Sequence, residues 1–594
     1  VNAPAPPPMP PKNLPPLCLF LLIACSGGSG PSPAPTPPPP PPSGCDATGL
    51  AVTLAAPSEP VTTRGEVSVA LTVSGQAEKV QLLRDGLVLA ELPPPYTYAW
   101  DTTSVEDGTY SLQGRATCGA AQVRSAAQTV VVDHTPPSLM ERSPAPGGEA
   151  ATGSLVRVDF SEPLLPSSVT PDALTLLVDG QPVAATLGLS QDGRTLTLTP
   201  AQPLRPPARV EVTLAAGLTD AVGNALVPPA PWAFSVPRWL AAHGVVPAPG
   251  FYGPYAQLPL LQLDGAGRPA VAFRAANSPT GSHQLRSWRW TDREWTELED
   301  VGGSQVLAVA FAMGAGDRVL LVDLLEVGGE RLDIHYFTPS GTYLDDYIFY
   351  CLQPAAAMGP QGPGLVACVY PNVSDTPDYI AILGSDDSGT VDIPSLESDL
   401  QDVKGLSLPA LAVDAEGRPV VAALNGHGHL VVSRWNGRAW TQLGASLPTR
   451  GFSGEPTVRV DASGRPVVAW READDGGSRV FVHRLVDGAW ARVGPLTAVA
   501  APPASAPSLA MELDGQGHPV LAWTEAGDSA KVQVWRASSS GWTSLGAVSR
   551  AGADVLVGRD ALVVDARGQP VLATVVRAGS RSDVQLWRPN RLDP

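Results

Sequence analysis

Asp461-Ala-Ser-Gly-Arg-Pro-Val-Val-Ala-Trp470 recurs with small changes along the C-terminal part of this 594-residue chain. Clear copies begin at Asp264, Asp414, Asp514 and Asp565. Two weaker ones are Met313-Gly-Ala-Gly-Asp-Arg-Val-Leu-Leu321 and Gly359-Pro-Gln-Gly-Pro-Gly-Leu-Val-Ala367. The last four aspartates stand 47, 53 and 51 residues apart, and the gap of 150 between Asp264 and Asp414 holds the two weak copies. A period near fifty is that of an array of small structural units. Within each copy the aspartate opens a tight turn, and the glycine takes a conformation forbidden to most residues. The proline then begins a strand, where no ladder hydrogen bond is asked of it. The Val-Val-Ala run is apolar on both faces, as a strand packed between two neighbouring sheets must be.

A second element follows each clear copy: a strand ending in Arg-Trp or similar, a turn, then Trp-x-x-Leu. Instances are Trp290 with Trp295-Thr-Glu-Leu298, Trp435 with Trp440-Thr-Gln-Leu443, and Trp535 with Trp542-Thr-Ser-Leu545; Arg484 precedes the variant Trp490-Ala-Arg-Val493. Each repeat thus supplies four short strands, and seven copies predict a seven-bladed β-propeller over residues 238–594. The last repeat reaches Val584-Gln-Leu-Trp-Arg588 and stops before a Trp-x-x-Leu strand. A free-standing piece of that kind lies at the other end, Arg238-Trp-Leu-Ala-Ala-His-Gly244. It is expected to pair with the strand around Leu586, which would satisfy both sheet edges. The alternative is an open stack of repeats.

Upstream, the pattern changes to alternating runs separated by turn residues, the mark of half-buried antiparallel strands. Residues 45–133 contain Glu66-Val-Ser-Val-Ala-Leu-Thr-Val73, Gln128-Thr-Val-Val-Val132 and the hairpin turn Arg84-Asp85-Gly86. Tyr96-Thr-Tyr-Ala-Trp-Asp101 followed by Asp107-Gly-Thr-Tyr-Ser-Leu112 resembles bacterial Ig-like domains, which implies that Trp100 and Tyr110 are core residues. Residues 134–237 contain Val156-Arg-Val-Asp-Phe-Ser-Glu-Pro163, Asp192-Gly-Arg-Thr-Leu-Thr-Leu-Thr-Pro200, Asp220-Ala-Val-Gly-Asn224 and Trp232-Ala-Phe-Ser235. This segment resembles the bacterial Ig-like domain first known from S-layer proteins, a spacer and display module. The fold class is therefore all-β: two Ig-like β-sandwiches followed by the propeller. The turn aspartates could ligate calcium, but turn capping is the simpler role.

Residues 1–24 read as a signal peptide. The apolar run behind Lys12 is too short for a bilayer span of about 20 residues. It ends in Leu22-Ile-Ala-Cys25, followed by Ser26-Gly-Gly. This resembles the bacterial lipobox and implies cleavage before Cys25, lipidation of its thiol (with an acyl chain such as palmitate on the new amine), and a membrane anchor. Ser26 is not the aspartate associated with inner-membrane retention, which favours the outer membrane or cell surface of a Gram-negative cell. From Gly27 to Gly44 the chain is Gly, Ser and Pro but for Ala34 and Thr36, with Pro37–Pro42 unbroken. Residues 25–44 thus form a lipidated start and a spacer of roughly 50 Å at about 3.1 Å per residue.

The formal net charge of -18 argues against nucleic acid as a partner. Of six cysteines, Cys45 and Cys118 flank the first sandwich and are expected to be disulfide-bonded, as secreted modules permit. Cys351 and Cys368 are a second pair or two buried thiols. Nothing assembles a catalytic site. Ser385-Asp-Asp-Ser-Gly-Thr390 partly resembles the Asp box of sialidases but occurs once, and His427-Gly-His429 lacks a third metal ligand. No cofactor, metal or catalytic residue is expected. The expectation is a surface-displayed binding or scaffold lipoprotein with an unknown protein or glycan ligand. The rival is a propeller hydrolase or lyase acting on extracellular polysaccharide, since propellers host both.

Overall fold

The computed structural model describes residues 45–591 except 56–59, 248–257, 277–281, 299–304, 327–329, 339–342, 360–361, 371–378, 387–388, 397–406, 451, 475–476, 495–507 and 580. Cys25 and the Pro-rich spacer lie outside the described residues. The architecture is all-β, with two single-turn 3-10 helices as the described exceptions. No helix among the described residues is long and apolar enough to cross a membrane. The chain divides into two compact units at Thr135/Pro136.

In the first unit, Ala51–Ala55, Glu66–Ser74 and Thr97–Asp101 form one sheet. Val61–Thr63, Gln128–Val132, Gly108–Cys118, Lys79–Arg84 and Leu87–Glu91 form the other, with Ala121–Arg124 against Gly108–Cys118. Alternate residues meet between the sheets: Val52, Val69 and Leu71 from one, Val80, Leu82 and Leu112 from the other. Trp100 is 3% exposed and meets Tyr110 edge-on at 5.7 Å. The Tyr110 hydroxyl donates to the Glu106 carbonyl at 2.8 Å, so both aromatics serve the core. Asp85 and Gly86 close the Lys79–Leu87 hairpin with φ of 52° and 83°, the two positive values a two-residue turn of this hand requires. Cys45 and Cys118 are disulfide-bonded, with Cα atoms 5.5 Å apart.

The second unit begins with a sandwich of two four-stranded sheets, Val156–Phe160 and Thr195–Pro200 at the centre of one, Leu174–Val178 and Ala208–Leu214 at the centre of the other. Val158, Leu196, Val210 and Phe234 fill its core. Asp220, 2% exposed, accepts from the Val222 and Asn224 backbone and from Asn224 Nδ2, the capping role.

Seven antiparallel four-stranded sheets follow among the described residues. Their first strands are Leu260–Leu263, Val306–Met313, Leu352–Met358, Ser407–Val413, Phe452–Val460, Leu509–Leu513 and Asp554–Val564. Each first strand adjoins the next, and the seventh adjoins the first, so together they line a central channel. The seventh sheet takes its fourth strand from the start of the region: Trp239–Val245 pairs with Arg581–Pro589, Ala242 opposite Leu586.

The repeated residues join one sheet to the next. Asp461 Oδ1 accepts from the backbone of Ser463 and Arg465, and Oδ2 from Arg465 Nε at 2.9 Å. Asp264, Asp414, Asp514 and Asp565 cap their turns in the same way. In three sheets an arginine of the third strand donates to the turn glycine carbonyl of the following sheet, Arg434 to Gly464, Arg484 to Gly517 and Arg536 to Gly568, while Arg289 donates instead to Asp317. The tryptophan of Trp-x-x-Leu donates backwards, to the outer strand of the preceding sheet: Trp490 to the Leu443 carbonyl at 3.0 Å, Trp542 to Val493 at 2.8 Å. Across the seam Trp239 donates to Leu545 and Trp295 to His243. Asn590, 2% exposed, ties the ring to the sandwich of the same unit. Its Oδ1 accepts from Thr152 N and its Nδ2 donates to the Ala150 and Pro237 carbonyls.

Candidate functional site

The first strands are not regular. Five of them slip register against the second strand, between Val306 and Ala308, Leu352 and Ala355, Ser407 and Ala410, Ser453 and Thr457, and Val557 and Leu562. A bulge leaves residues without a cross-strand partner and re-aims their side chains. The Asp-x-x-Gly turns sit at the far ends of these strands, so the slips cluster towards the opposite mouth of the channel. Gln353 and Leu408, both in bulges, have φ of 54°, a strained value for residues with a Cβ. They steady each other across adjoining strands, Gln353 Oε1 accepting from the Leu408 backbone at 2.8 Å.

The bulges enclose a cavity of about 510 Å³, within the range of small-ligand sites. Its lining mixes the apolar Leu258, Leu260, Leu307 and Val309 with the polar Gln353, Glu455, Arg559 and Asp560. Behind Asp560 a second cavity of about 230 Å³ leads towards the turn face, lined by Met358, Val413, Arg459 and Glu512 among others.

A charged network separates the two cavities. Arg559 Nε donates to Asp560 Oδ2 at 3.0 Å, and its Nη1 lies 3.6 Å from Glu455 Oε2. The same Nη1 reaches the Pro409 carbonyl at 3.1 Å, crossing to the bulge of the fourth sheet. Arg459 donates to Glu512 at 2.9 Å and to Asp560 at 3.1 Å. The Arg559 side chain is 12% exposed and that of Arg459 18%. Burial by itself would raise the Asp560 carboxyl; the Arg559 and Arg459 guanidinium groups outweigh it and hold the group below the ordinary carboxylate range. Asp560 is thus kept ionised, the wrong state for a general acid. The two guanidiniums, shared among three carboxylates, offer fixed donors and acceptors among apolar side chains.

The residues singled out in the sequence lie elsewhere. Cys25 is outside the described residues. Cys351 and Cys368 are disulfide-bonded, both fully buried, Cα atoms 5.5 Å apart. His427 and His429 belong to a turn whose Asn425 Oδ1 accepts from both backbone N–H groups, their rings 6.4 Å apart. Asp386 pairs with Gly389 at a hairpin end. None lines the bulged mouth. Arg559 and Asp560 had one signal in the sequence: Leu556-Val-Gly-Arg-Asp-Ala-Leu562 places two adjacent charges inside an otherwise apolar strand.

Two bacterial Ig-like domains are matched by family models: "Bacterial Ig domain" over residues 51–113 and "Bacterial Ig-like domain" over residues 133–236. No curated protein matches the chain. Similar solved structures include a fungal lectin from Aleuria aurantia described as a six-bladed β-propeller with fucose recognition (15% identity, TM-score 0.36, 51% of this chain and 100% of that one). A polysaccharide lyase, an ulvan lyase, is similar at 12% identity and TM-score 0.40, over 59% and 94%. An intramolecular trans-sialidase from Ruminococcus gnavus is similar at 14% identity and TM-score 0.34, over 60% and 99%.

Proposed function

We propose that this chain is a lipid-anchored binding protein of the bacterial cell envelope, whose seven sheets close as a seven-bladed propeller and take a glycan at the bulged mouth of the channel without acting on it. The observation that carries this reading is a cavity of about 510 Å³ lined both by the ion-paired Arg559 and Asp560, the latter also bonded to Arg459, and by Leu258, Leu260 and Leu307. A sugar ring presents hydroxyls on its edge and C–H groups on its face, and such a site meets both. Asp560, held below the ordinary carboxylate range, is not suited to be the general acid of glycoside cleavage. The anchor rests on Cys25 and its lipobox context, and carries with it the location in the outer membrane or at the cell surface.

The soluble chain from Cys45 onward, applied to a glycan array and then titrated calorimetrically with its hits, is expected to bind without releasing product. Arg559→Gln should weaken binding by about tenfold or more, the loss of one charged hydrogen-bonding group. Release of new reducing ends or unsaturated sugars would instead support a hydrolase or lyase. Incorporation of labelled palmitate, lost in Cys25→Ser, tests the anchor.

A further inference from the structure

In the seven sheets the fifth residue of the second strand occupies one structural position: Phe273, Asp323, Cys368, Ala423, Trp470, Trp523 and Thr574. The third strand sets two residues against it, one directly opposite and one two places further on. In the fifth sheet these are Phe481 and His483, and the Trp470 ring stacks on them at 5.3 Å and 5.1 Å. In the sixth, Trp523 stacks with Trp535 at 6.4 Å. In the third they are Ala381 and Leu383, in the fourth Val431 and Ser433. In the seventh sheet Thr574 accepts from Trp587 Nε1 at 2.8 Å, and in the third Cys368 is disulfide-bonded, so at none of these six positions does the fold place an ionisable side chain that titrates.

The second sheet departs from this. Asp323 stands opposite Asp333, with His335 two residues on. All three are buried, and one donor atom from each lies within 4.8 Å of the other two. The cluster is on the face that packs against the first sheet, where Leu321 and Leu325 meet Ala272 and Leu285. His335 Nε2 lies 2.9 Å from Asp323 Oδ1. Asp333, 8% exposed, accepts from Arg331 through Oδ2 at 2.6 Å, while its Oδ1 has no hydrogen-bond partner. A buried carboxylate oxygen without a donor is costly, and Asp333 Oδ1 is one.

We propose that Asp323, Asp333 and His335 hold a divalent cation of the zinc class, closed between the first and second sheets. Two carboxylate oxygens and one imidazole nitrogen suit that ion, which takes mixed N/O donors in four-coordinate geometry. Such an ion ties the second and third strands of the sheet together and adds its binding free energy to folding. The site is separate from the channel mouth and independent of the glycan reading.

The mature chain, expressed with zinc in the medium, is assayed for metal content, then stripped with a chelator and titrated with Co²⁺. One zinc per chain is expected, together with the intense visible bands of four-coordinate Co²⁺. Asp333→Asn and His335→Gln should each lower Co²⁺ affinity by about 100-fold or more, with circular dichroism unchanged. Metal-free protein as purified, together with a Co²⁺ spectrum like that of the hydrated ion, overturns the proposal and leaves Asp333 as a carboxyl carried protonated. A Co²⁺ spectrum that survives in His335→Gln overturns it as well. Should either variant fail to fold, the wild-type metal content and spectrum decide.

Discussion

Asp461 is 5% exposed and makes three hydrogen bonds through its carboxylate, one of them to a guanidinium. Asp461→Ala would leave two turn N–H groups and Arg465 without their acceptor, at a cost of about 2–4 kcal/mol. Asp565→Ala should cost less, because Gln569 stands where Arg465 does and the turn is only half-buried. Guanidinium denaturation of the two variants checks the order. This turn was legible in the sequence because all of its chemistry falls within five residues and is repeated. Arg459, Glu512 and Asp560 were not. They are separated by up to 101 residues, differ in identity from one repeat to the next, and meet only because the ring brings their strands together.

At the scale of the strand, alternation and period described the sheets well, and the isolated Trp239 signalled the closing strand. The bulges escaped, since a register slip leaves no mark in an apolar run. The closing strand also carries a pH sensitivity. His243 Nε2 accepts from Arg588 Nη2 at 2.8 Å, and its ring lies 4.7 Å from that of Trp290. Burial first, and the Arg588 charge second, push its pKa from 6.5 down to about 4. Between these values the unfolded chain binds a proton that the folded one refuses. The stability contributed by the neutral ring is therefore complete above pH 6.5 and is lost as the pH falls towards 4. His243→Asn keeps a neutral side chain that tolerates the positive φ of 59°. Its melting temperature should fall less steeply than the wild type's from pH 6.5 to 4.

On the whole-molecule scale, two compact units predict two unfolding transitions in calorimetry. The Cys45–Cys118 bond spans 73 residues and lies in the first unit, so Cys118→Ser should lower only that transition, by about 4 kcal/mol. Cys351–Cys368 spans 17 residues in the second, where Cys351→Ser should lower the other by about 3 kcal/mol. A single transition, or one that answers to both substitutions, would contradict the division. The Ig-like modules and the propeller-like region could be read from sequence because each is built from local patterns. The junction at Asn590 could not, because it joins residues 440 positions apart.

The seam of the seventh sheet also constrains the order of events in the cell. Trp239–Val245 emerges from the ribosome more than three hundred residues ahead of the strand it must pair with. Until Arg581–Pro589 has been made, an apolar edge stays unpaired, inviting mispairing with a second nascent chain. Folding factors that shield open sheet edges would thus matter more for this protein than for one whose last sheet is continuous.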